Sequence, residues 1–220
     1  MTRPGRLLAA AVLAVTALVA VGSAQTRSPL SREQALANIA QPDVETRREA
    51  AAWLGEVGTM ADAPVLLRAL ADRDEVVRAL AEHSVWQVWG RSGDADADNL
   101  LQIGIEQMSR RDSPAAVQTF TTVIQRRPDF AEAWNKRATV YFLMGEYQKS
   151  LDDCDEVMKR NPSHFGALAG YGQIYLQLDQ PERALQYFRQ ALRVNPNLRG
   201  VAEIIPRLER ALVERRKGTI

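Results

Sequence analysis

Three prolines at equal intervals constrain the fold of this chain more than any other feature of its sequence. Pro128, Pro162 and Pro196 follow one another at steps of 34 residues in a chain of 220 residues. The same step relates further positions, some of them small and others mostly large and apolar: Leu100, Trp134 and Leu168; Gly104, Ala138 and Gly172; Ala116, Ser150 and Ala184; Phe120, Cys154 and Phe188. A fixed period of roughly 20–50 residues is typical of solenoids, and small residues let paired helices touch while large ones fill the gaps. The sequence therefore predicts stacked helical hairpins in an all-α solenoid.

Residues 97–198 resemble three tetratricopeptide repeats on these positions. The resemblance implies a right-handed superhelix of helix pairs with a concave, ligand-binding face. The sequence departs from the family at three positions. Arg137 replaces an apolar residue, and Arg111 and Asp179 occupy the turn between paired helices, where Gly145 fits the family better.

The prolines and the C-terminal segment predict where helices begin and how the array ends. A good N-cap residue follows each proline, and we expect Asp129, Ser163 and Asn197 to cap the next helix. Residues 199–217 predict a capping helix, because their apolar residues fall on one stripe: Val201, Ile204, Ile205, Leu208 and Leu212. Pro206 lies inside this stripe, so we expect a kink or a late start.

A second period, of 31 residues, runs through residues 30–90. It relates Leu36 to Leu67, Ile39 to Leu70, Asp43 to Asp74, Arg47 to Arg78, Ala50 to Ala81 and Leu54 to Val85. This segment resembles two short HEAT-like hairpins, and the first begins at a capping box of Ser31 and Gln34. The aspartate–arginine steps predict i,i+4 ion pairs that also bridge the hairpins, which is a structural role rather than an anion site.

The connection between the two arrays is predicted at residues 91–96, which are polar and contain glycine. Just before it, Trp86 and Trp89 stand where the first hairpin has Gly55 and Gly58. We expect both indoles to dock on the first helix of the second array and to join the halves, because two hairpins alone bury too little core.

Residues 1–24 predict a cleavable export signal. Arg3 and Arg6 precede an apolar run, and small residues at Gly22 and Ala24 suit cleavage before Gln25. The apolar run is shorter than the roughly 20 residues that a membrane-spanning helix needs. We therefore expect an exported protein, which in a bacterium would be periplasmic. An uncleaved, membrane-anchored form is the alternative.

Few residues of this sequence suit catalysis or metal binding. Cys154 is the single cysteine and takes the place of a phenylalanine, which predicts a buried packing residue. His83 and His164 lack ligands at metal-binding spacing, and the carboxylates around Cys154 (Asp152, Asp153, Asp155 and Glu156) predict a solvated helix face rather than a calcium loop. We expect no catalytic residue, metal or cofactor. The 28 basic and 27 acidic side chains give no electrostatic reason to bind nucleic acid.

The resemblance places a partner-binding groove on the first helix of each repeat. Its residues would be Leu101, Ile105, Met108, Asn135, Thr139, Phe142, Leu143, Ala169, Gln173, Leu176 and Gln177. Some family members hold a peptide C-terminus in a clamp of basic and amide side chains. Leu101, Ile105, Gly166 and Gly170 occupy clamp positions here, so this mode is disfavoured.

The sequence thus favours a non-enzymatic scaffold or adaptor that binds an apolar segment or amphipathic helix of a protein partner, in assembly or maintenance of an envelope complex. We expect neither a small-molecule substrate nor stable membrane insertion after cleavage. The alternatives are a groove covered by the chain itself, a self-associating structural subunit, and an enzyme accessory factor.

Overall fold

The computed structural model describes residues 30–217, and these residues form eleven α-helices and one short 3-10 turn without a strand. The helices are α1 Arg32–Asn38, α2 Val44–Val57, α3 Ala63–Ala69, α4 Glu75–Trp89, α5 Ala95–Ser109, α6 Ser113–Arg126, α7 Ala131–Leu143, α8 Tyr147–Arg160, α9 Phe165–Gln177, α10 Pro181–Val194 and α11 Arg199–Lys217. The 3-10 turn, Met60–Asp62, precedes α3. The all-α solenoid of helical hairpins is confirmed. The predicted leader, residues 1–24, lies outside the described residues.

The first four helices form two hairpins, α1 with α2 and α3 with α4, stacked through α2 and α4. Their boundaries follow the sequence signals. Ser31 and Gln34 form the predicted capping box, and Asp43 and Asp74 cap α2 and α4 by accepting a backbone N–H three residues on. Gly58 ends α2. We call α1–α4 the N-terminal hairpins.

The expected i,i+4 ion pairs of these hairpins are wrong, although the bridging role of their arginines is right. The Arg47 guanidinium donates to both oxygens of Asp72, at 2.8 and 3.1 Å, and not to Asp43. Arg78 donates to Asn197 Oδ1 at 3.0 Å, and the Asn197 amide donates to the Leu70 carbonyl. Arg47 therefore ties α2 to the turn before α4, and Arg78 ties α4 to the connection between α10 and α11.

The next six helices form three hairpins whose paired helices touch at the predicted small residues. A Cβ on Gly104 would lie 2.4 Å from Phe120 Cε1, and one on Gly172 would lie 2.4 Å from Phe188 Cε1. In the middle hairpin the small residue is larger and the large residue is smaller. Ala138 replaces the glycine and Cys154 replaces the phenylalanine, and both are buried. The pairing of small with large therefore explains why one repeat carries a cysteine where the others carry phenylalanine.

Three residues reverse the chain between the paired helices of these hairpins with positive φ. Gly145 has φ +76°, and the two residues that depart from the family, Arg111 and Asp179, have φ +61° and +52°. Their backbone therefore adopts the left-handed conformation that glycine accepts without cost.

Several predicted boundaries are wrong by a residue or more. The N-caps of α7 and α9 are Phe130 and His164 rather than Asp129 and Ser163. Asn197 lies two residues before α11, where its side chain bridges to the N-terminal hairpins instead of capping. The connection is also shorter than residues 91–96, because Asp94 caps α5 and Ala95 is already helical.

The predicted capping helix is present as α11, whose apolar stripe packs on α10 around Phe188 and Leu208. It begins at Arg199 and continues through Pro206, so the expected late start is wrong. None of the helices between residues 30 and 217 combines the length and the apolar character that crossing a membrane requires.

Candidate functional site

A small cleft between α7 and α9 brings together the central part of the predicted groove. Asn135, Thr139 and Phe142 line it from α7, Gln173 lines it from α9, and Cys154 lies on its wall. The cleft has a volume of about 50 Å³, and no charged side chain of the described residues lines it. This surface can therefore offer apolar contact and neutral hydrogen bonds, and it has no group that would hold a charged ligand.

The first-repeat residues take a different position from the one predicted. Leu101 is 1% exposed in a core cluster with Phe120 and Phe130, so it does not line an open groove. Ile105 and Met108 are half-buried against the same cluster. The cluster that buries Leu101 contains residues of its partner helix, α6, and of α7 in the following repeat.

The remaining predicted groove residues, on α7 and α9, do not line the cleft and differ in exposure. Leu143 at the end of α7 is 65% exposed, and Gln177 at the end of α9 is exposed as well. Ala169 is half-buried. Leu176 is half-buried against the cluster that α10 forms with α11, so the C-terminal helix covers part of this end.

Trp86 and Trp89 join the N-terminal hairpins to the repeats, but at α9 rather than at the predicted first repeat helix, α5. The Trp89 ring stacks on His164, with centroids 4.4 Å apart, and its centroid lies 5.0 Å from that of Phe165. Trp86 meets the same two rings edge-on. A Cβ on Gly166 would lie 2.5 Å from Trp86, so the N-terminal hairpins cover one end of the cleft.

A buried carboxylate organises the polar side of this joint. Glu132 accepts from His164 Nε2 at 2.9 Å and from Asn135 Nδ2 at 3.1 Å, and it pairs with Lys136 at 2.9 Å. The other ring nitrogen of His164 accepts the Ala167 N–H, so the proton of the neutral ring lies on Nε2. Burial favours the neutral carboxyl, but the His164 hydrogen bond and the Lys136 charge outweigh it and lower the pKa of Glu132.

Arg137, the charged residue at an apolar family position, has a bidentate partner. It donates to the two oxygens of Asp153 at 2.8 and 2.7 Å and to Thr121 Oγ1 at 2.9 Å. These bonds raise the pKa of Arg137 and keep it charged within the array. The solvated-face prediction is therefore wrong for Asp153, which is buried by this pair.

The other residues considered for catalysis or metal binding pack or form hydrogen bonds within the array. Cys154 is buried as predicted, and burial raises the pKa of its thiol to about 12, which disfavours the reactive thiolate at neutral pH. Asp155 accepts from the Tyr171 hydroxyl. Within residues 30–217, no group of three or more His, Cys, Asp and Glu side chains is arranged to hold a metal ion.

Sequence reasoning missed the link between Glu132 and His164, which lie 32 residues apart. The signal for it was the 34-residue step, because that step places the starts of α7 and α9 side by side. Spacing along one helix, the usual test for ligand pairs, does not detect contacts between neighbouring repeats.

Comparison with known proteins identifies the repeats. Residues 129–197 match the family model of the tetratricopeptide repeat. A TPR repeat-containing protein of Rhizobium etli is 34% identical over 128 residues, which cover 58% of this chain and 63% of that protein. Hsp70-Hsp90 organizing protein 1 of Glycine max is 24% identical over 119 residues, covering 52% of this chain and 21% of that one. The matches thus span less than two thirds of either relative.

Solved structures share the fold at low identity. The first TPR of Spaghetti (RPAP3), bound to the HSP90 peptide SRMEEVD, is 20% identical with a TM-score of 0.51, over 53% of this chain and 93% of that one. The Sgt2 TPR domain from Aspergillus fumigatus is 17% identical with a TM-score of 0.54, over 58% and 85%. Residues 129–197, which contain α7–α10, therefore match the tetratricopeptide repeat, and the solved structures share the helical-hairpin fold of this part of the chain.

Proposed function

We propose that this protein is a non-enzymatic scaffold that binds an apolar segment of a protein partner at the cleft between α7 and α9. The observation that carries the proposal is the composition of the cleft wall, where apolar and neutral polar side chains meet without a charge. Leu143, which follows Phe142 at the end of α7, is 65% exposed and offers a further apolar side chain on this helix. An amphipathic helix or an extended apolar strand can bury such side chains, each contributing up to about 1.5–3 kcal/mol.

A peptide partner is consistent with the structural relatives, one of which is described as bound to an HSP90 peptide. The acidic tail of that peptide does not suit this chain. The clamp positions carry Leu101, Ile105, Gly166 and Gly170, and Lys136 is engaged by the buried Glu132. A partner of this chain should therefore be recognised by apolar side chains rather than by a carboxylate.

The experiment is capture of partners from envelope extract at low and high salt. Phe142→Ala removes the aromatic side chain of the cleft and should weaken capture about tenfold or more, because about 1.4 kcal/mol corresponds to a factor of ten. Leu178→Ala truncates an exposed apolar residue outside the cleft and serves as the control. Capture that survives Phe142→Ala and disappears in high salt would show that a charged surface, such as the end at Arg215–Lys217, carries recognition.

We also propose that the protein is exported and acts in the periplasm, in assembly or maintenance of an envelope complex. Support comes from the sequence, in which a basic start, an apolar run and small residues precede Gln25. Mass spectrometry of the protein recovered from its native cell should find Gln25 as the first residue. Recovery of chains that retain Met1 or Thr2 in the membrane fraction would favour the anchored form instead.

A further inference from the structure

A cavity of about 550 Å³ lies at the joint between the N-terminal hairpins and the repeats. The turn after α2, the end of α4, the turn between α6 and α7 and the end of α8 enclose it. It shares no residue with the predicted groove. Its volume is typical of sites that take one small molecule, about 300–1,000 Å³.

The charged side chains on the cavity wall are mainly cationic. Arg91, Arg127 and Arg160 line it, and Asp129 is the one carboxylate among the described residues of the wall. Arg127 pairs with Asp129, but Arg91 donates only to backbone carbonyls, those of Glu56 and Gly58. Arg160 pairs with Glu156, which does not line the cavity, at 2.6 Å. The wall therefore has one uncompensated positive charge, because Arg91 has no carboxylate partner among residues 30–217.

These guanidinium groups also have N–H groups without an acceptor among the described residues. A guanidinium carries five N–H groups. Arg91 donates through Nη1 alone, so its Nε and Nη2 have no acceptor within residues 30–217. Nη1 of Arg127 and Nη2 of Arg160 also have none there, although the other nitrogens of these two residues do. Planar donors of this kind suit a carboxylate, whose two oxygens can accept two N–H groups at once.

Two buried donors on the same wall lack partners as well. Trp89 is 2% exposed and Asn161 is 7% exposed, and neither Trp89 Nε1 nor Asn161 Nδ2 has a hydrogen-bond partner among the described residues. Both atoms are buried, and both residues line the cavity. Buried donors are rarely left unpaired, and both of these favour an acceptor in the cavity.

Apolar side chains complete the wall. Val88, Trp89 and Phe130 are buried and contribute the floor, and Met60, 46% exposed, contributes at the surface. The cavity thus combines an apolar body with donors and positive charge. This combination is absent from the uncharged cleft between α7 and α9.

We propose that this cavity binds a small monocarboxylate with an apolar body, such as a medium-chain or aromatic acid. The carboxylate lies against Arg91 and Arg160, and the apolar part lies on Trp89 and Phe130. The proposal adds a small-molecule ligand that the sequence did not predict. It is independent of the partner-binding cleft, because a ligand here contacts the joint and not the repeat groove.

Isothermal titration calorimetry of the full chain with octanoate tests the proposal, with octanamide and octylammonium as neutral and cationic analogues. We expect octanoate to bind with a Kd at or below about 1 mM and both analogues to bind at least about tenfold more weakly. Absence of octanoate binding up to about 5 mM, or equal binding of either analogue, would overturn the proposal.

Two exposed methionines provide matched variants that should leave the fold intact. Met60→Glu places a carboxylate at the cavity and should weaken octanoate binding about tenfold or more, whereas Met144→Glu, at a 41% exposed methionine on the α7–α8 turn, should change it by less than about twofold. Arg91→Gln should weaken binding similarly. Equal effects of the two methionine variants, or octanoate binding unchanged by Met60→Glu, would place the ligand elsewhere and refute the proposal. Competition by an apolar peptide with an amidated C-terminus would identify a protein segment as the occupant and refute it too.

Discussion

The ring cluster at the joint should hold the two halves of the molecule in one cooperative unit. Trp89 is almost fully buried against His164 and Phe165, and Trp86 contacts the same rings at centroid distances of 5.6 and 5.0 Å. Phe165 belongs to the same core cluster as the buried residues of the N-terminal hairpins. Replacing the indoles with alanine therefore removes apolar contact that spans the joint.

The expected magnitude follows from burial. Truncation of a buried tryptophan costs about 3–5 kcal/mol, and a domain of about 150–250 residues loses about 2–4 °C of Tm for each kcal/mol. Trp89→Ala should therefore lower Tm by about 6–20 °C. Trp86 is half-buried, so Trp86→Ala should cost about half as much.

Differential scanning calorimetry distinguishes coupling from simple destabilisation. The wild-type chain should unfold in one transition, and Trp86→Ala with Trp89→Ala should split it into two. The N-terminal hairpins should melt first, because two hairpins bury less continuous core than three. Trp53→Ala, which removes a half-buried indole of the N-terminal hairpins outside the joint, should lower Tm within a single transition. Two transitions in the wild type, or one transition retained by the double variant, would refute the reasoning.

Three further perturbations test other parts of the structure through unfolding free energies. Gly172→Ala should cost about 1–3 kcal/mol, because the added Cβ would lie 2.4 Å from Phe188 Cε1, and combination with Phe188→Cys should cost less than the sum. Arg111→Gly should stabilise the chain by about 1 kcal/mol, because glycine accepts the φ of +61° without strain. The pKa of Glu132 is lowered in the folded state, so its contribution to stability is present above about pH 4.5 and is lost as pH falls through its folded pKa. Glu132→Gln should lower stability at pH 7 by about 1–3 kcal/mol and reduce this acid dependence.

Each perturbation has a matched control. Gly170→Ala adds a Cβ whose nearest neighbour is Cys154 Sγ at 3.9 Å, so it should be tolerated, unlike Gly172→Ala. Arg110 has φ −81°, and Arg110→Gly should not stabilise. Glu106 is exposed and paired with Arg110, and Glu106→Gln should lower stability at pH 7 by less than about 1 kcal/mol. Equal effects of test and control in any of these pairs would contradict the corresponding structural argument.

The sequence predicted the repeats well because their packing is periodic. The step of 34 residues identified the small and large partners, such as Gly172 and Phe188, since each pair lies within one hairpin. The resemblance to the tetratricopeptide repeat placed Thr139 and Phe142 in the groove, and both line the cleft. Local capping rules predicted where α2 and α4 begin, because Asp43 and Asp74 each cap their own helix.

The joint could not be predicted because it depends on contacts between distant segments. Phe130 and His164 take the N-cap positions of α7 and α9 and are buried, so tertiary packing overrides the capping preference of Asp129 and Ser163. The repeat period relates equivalent positions within one array, and it does not indicate which repeat the other array contacts. Trp89 was therefore expected on α5 and is found against α9.

Photo-crosslinking tests the central claim, that the cleft between α7 and α9 binds an apolar partner segment. Benzoylphenylalanine is placed at Thr139 on the cleft wall or, as the control, at Thr122, an exposed residue of α6. In the native cell, the chain substituted at Thr139 should form an adduct whose crosslinked segment is rich in apolar residues, and Phe142→Ala should reduce its yield about tenfold or more. The chain substituted at Thr122 should form none. No adduct from Thr139, or equal adducts from both positions, would contradict the account.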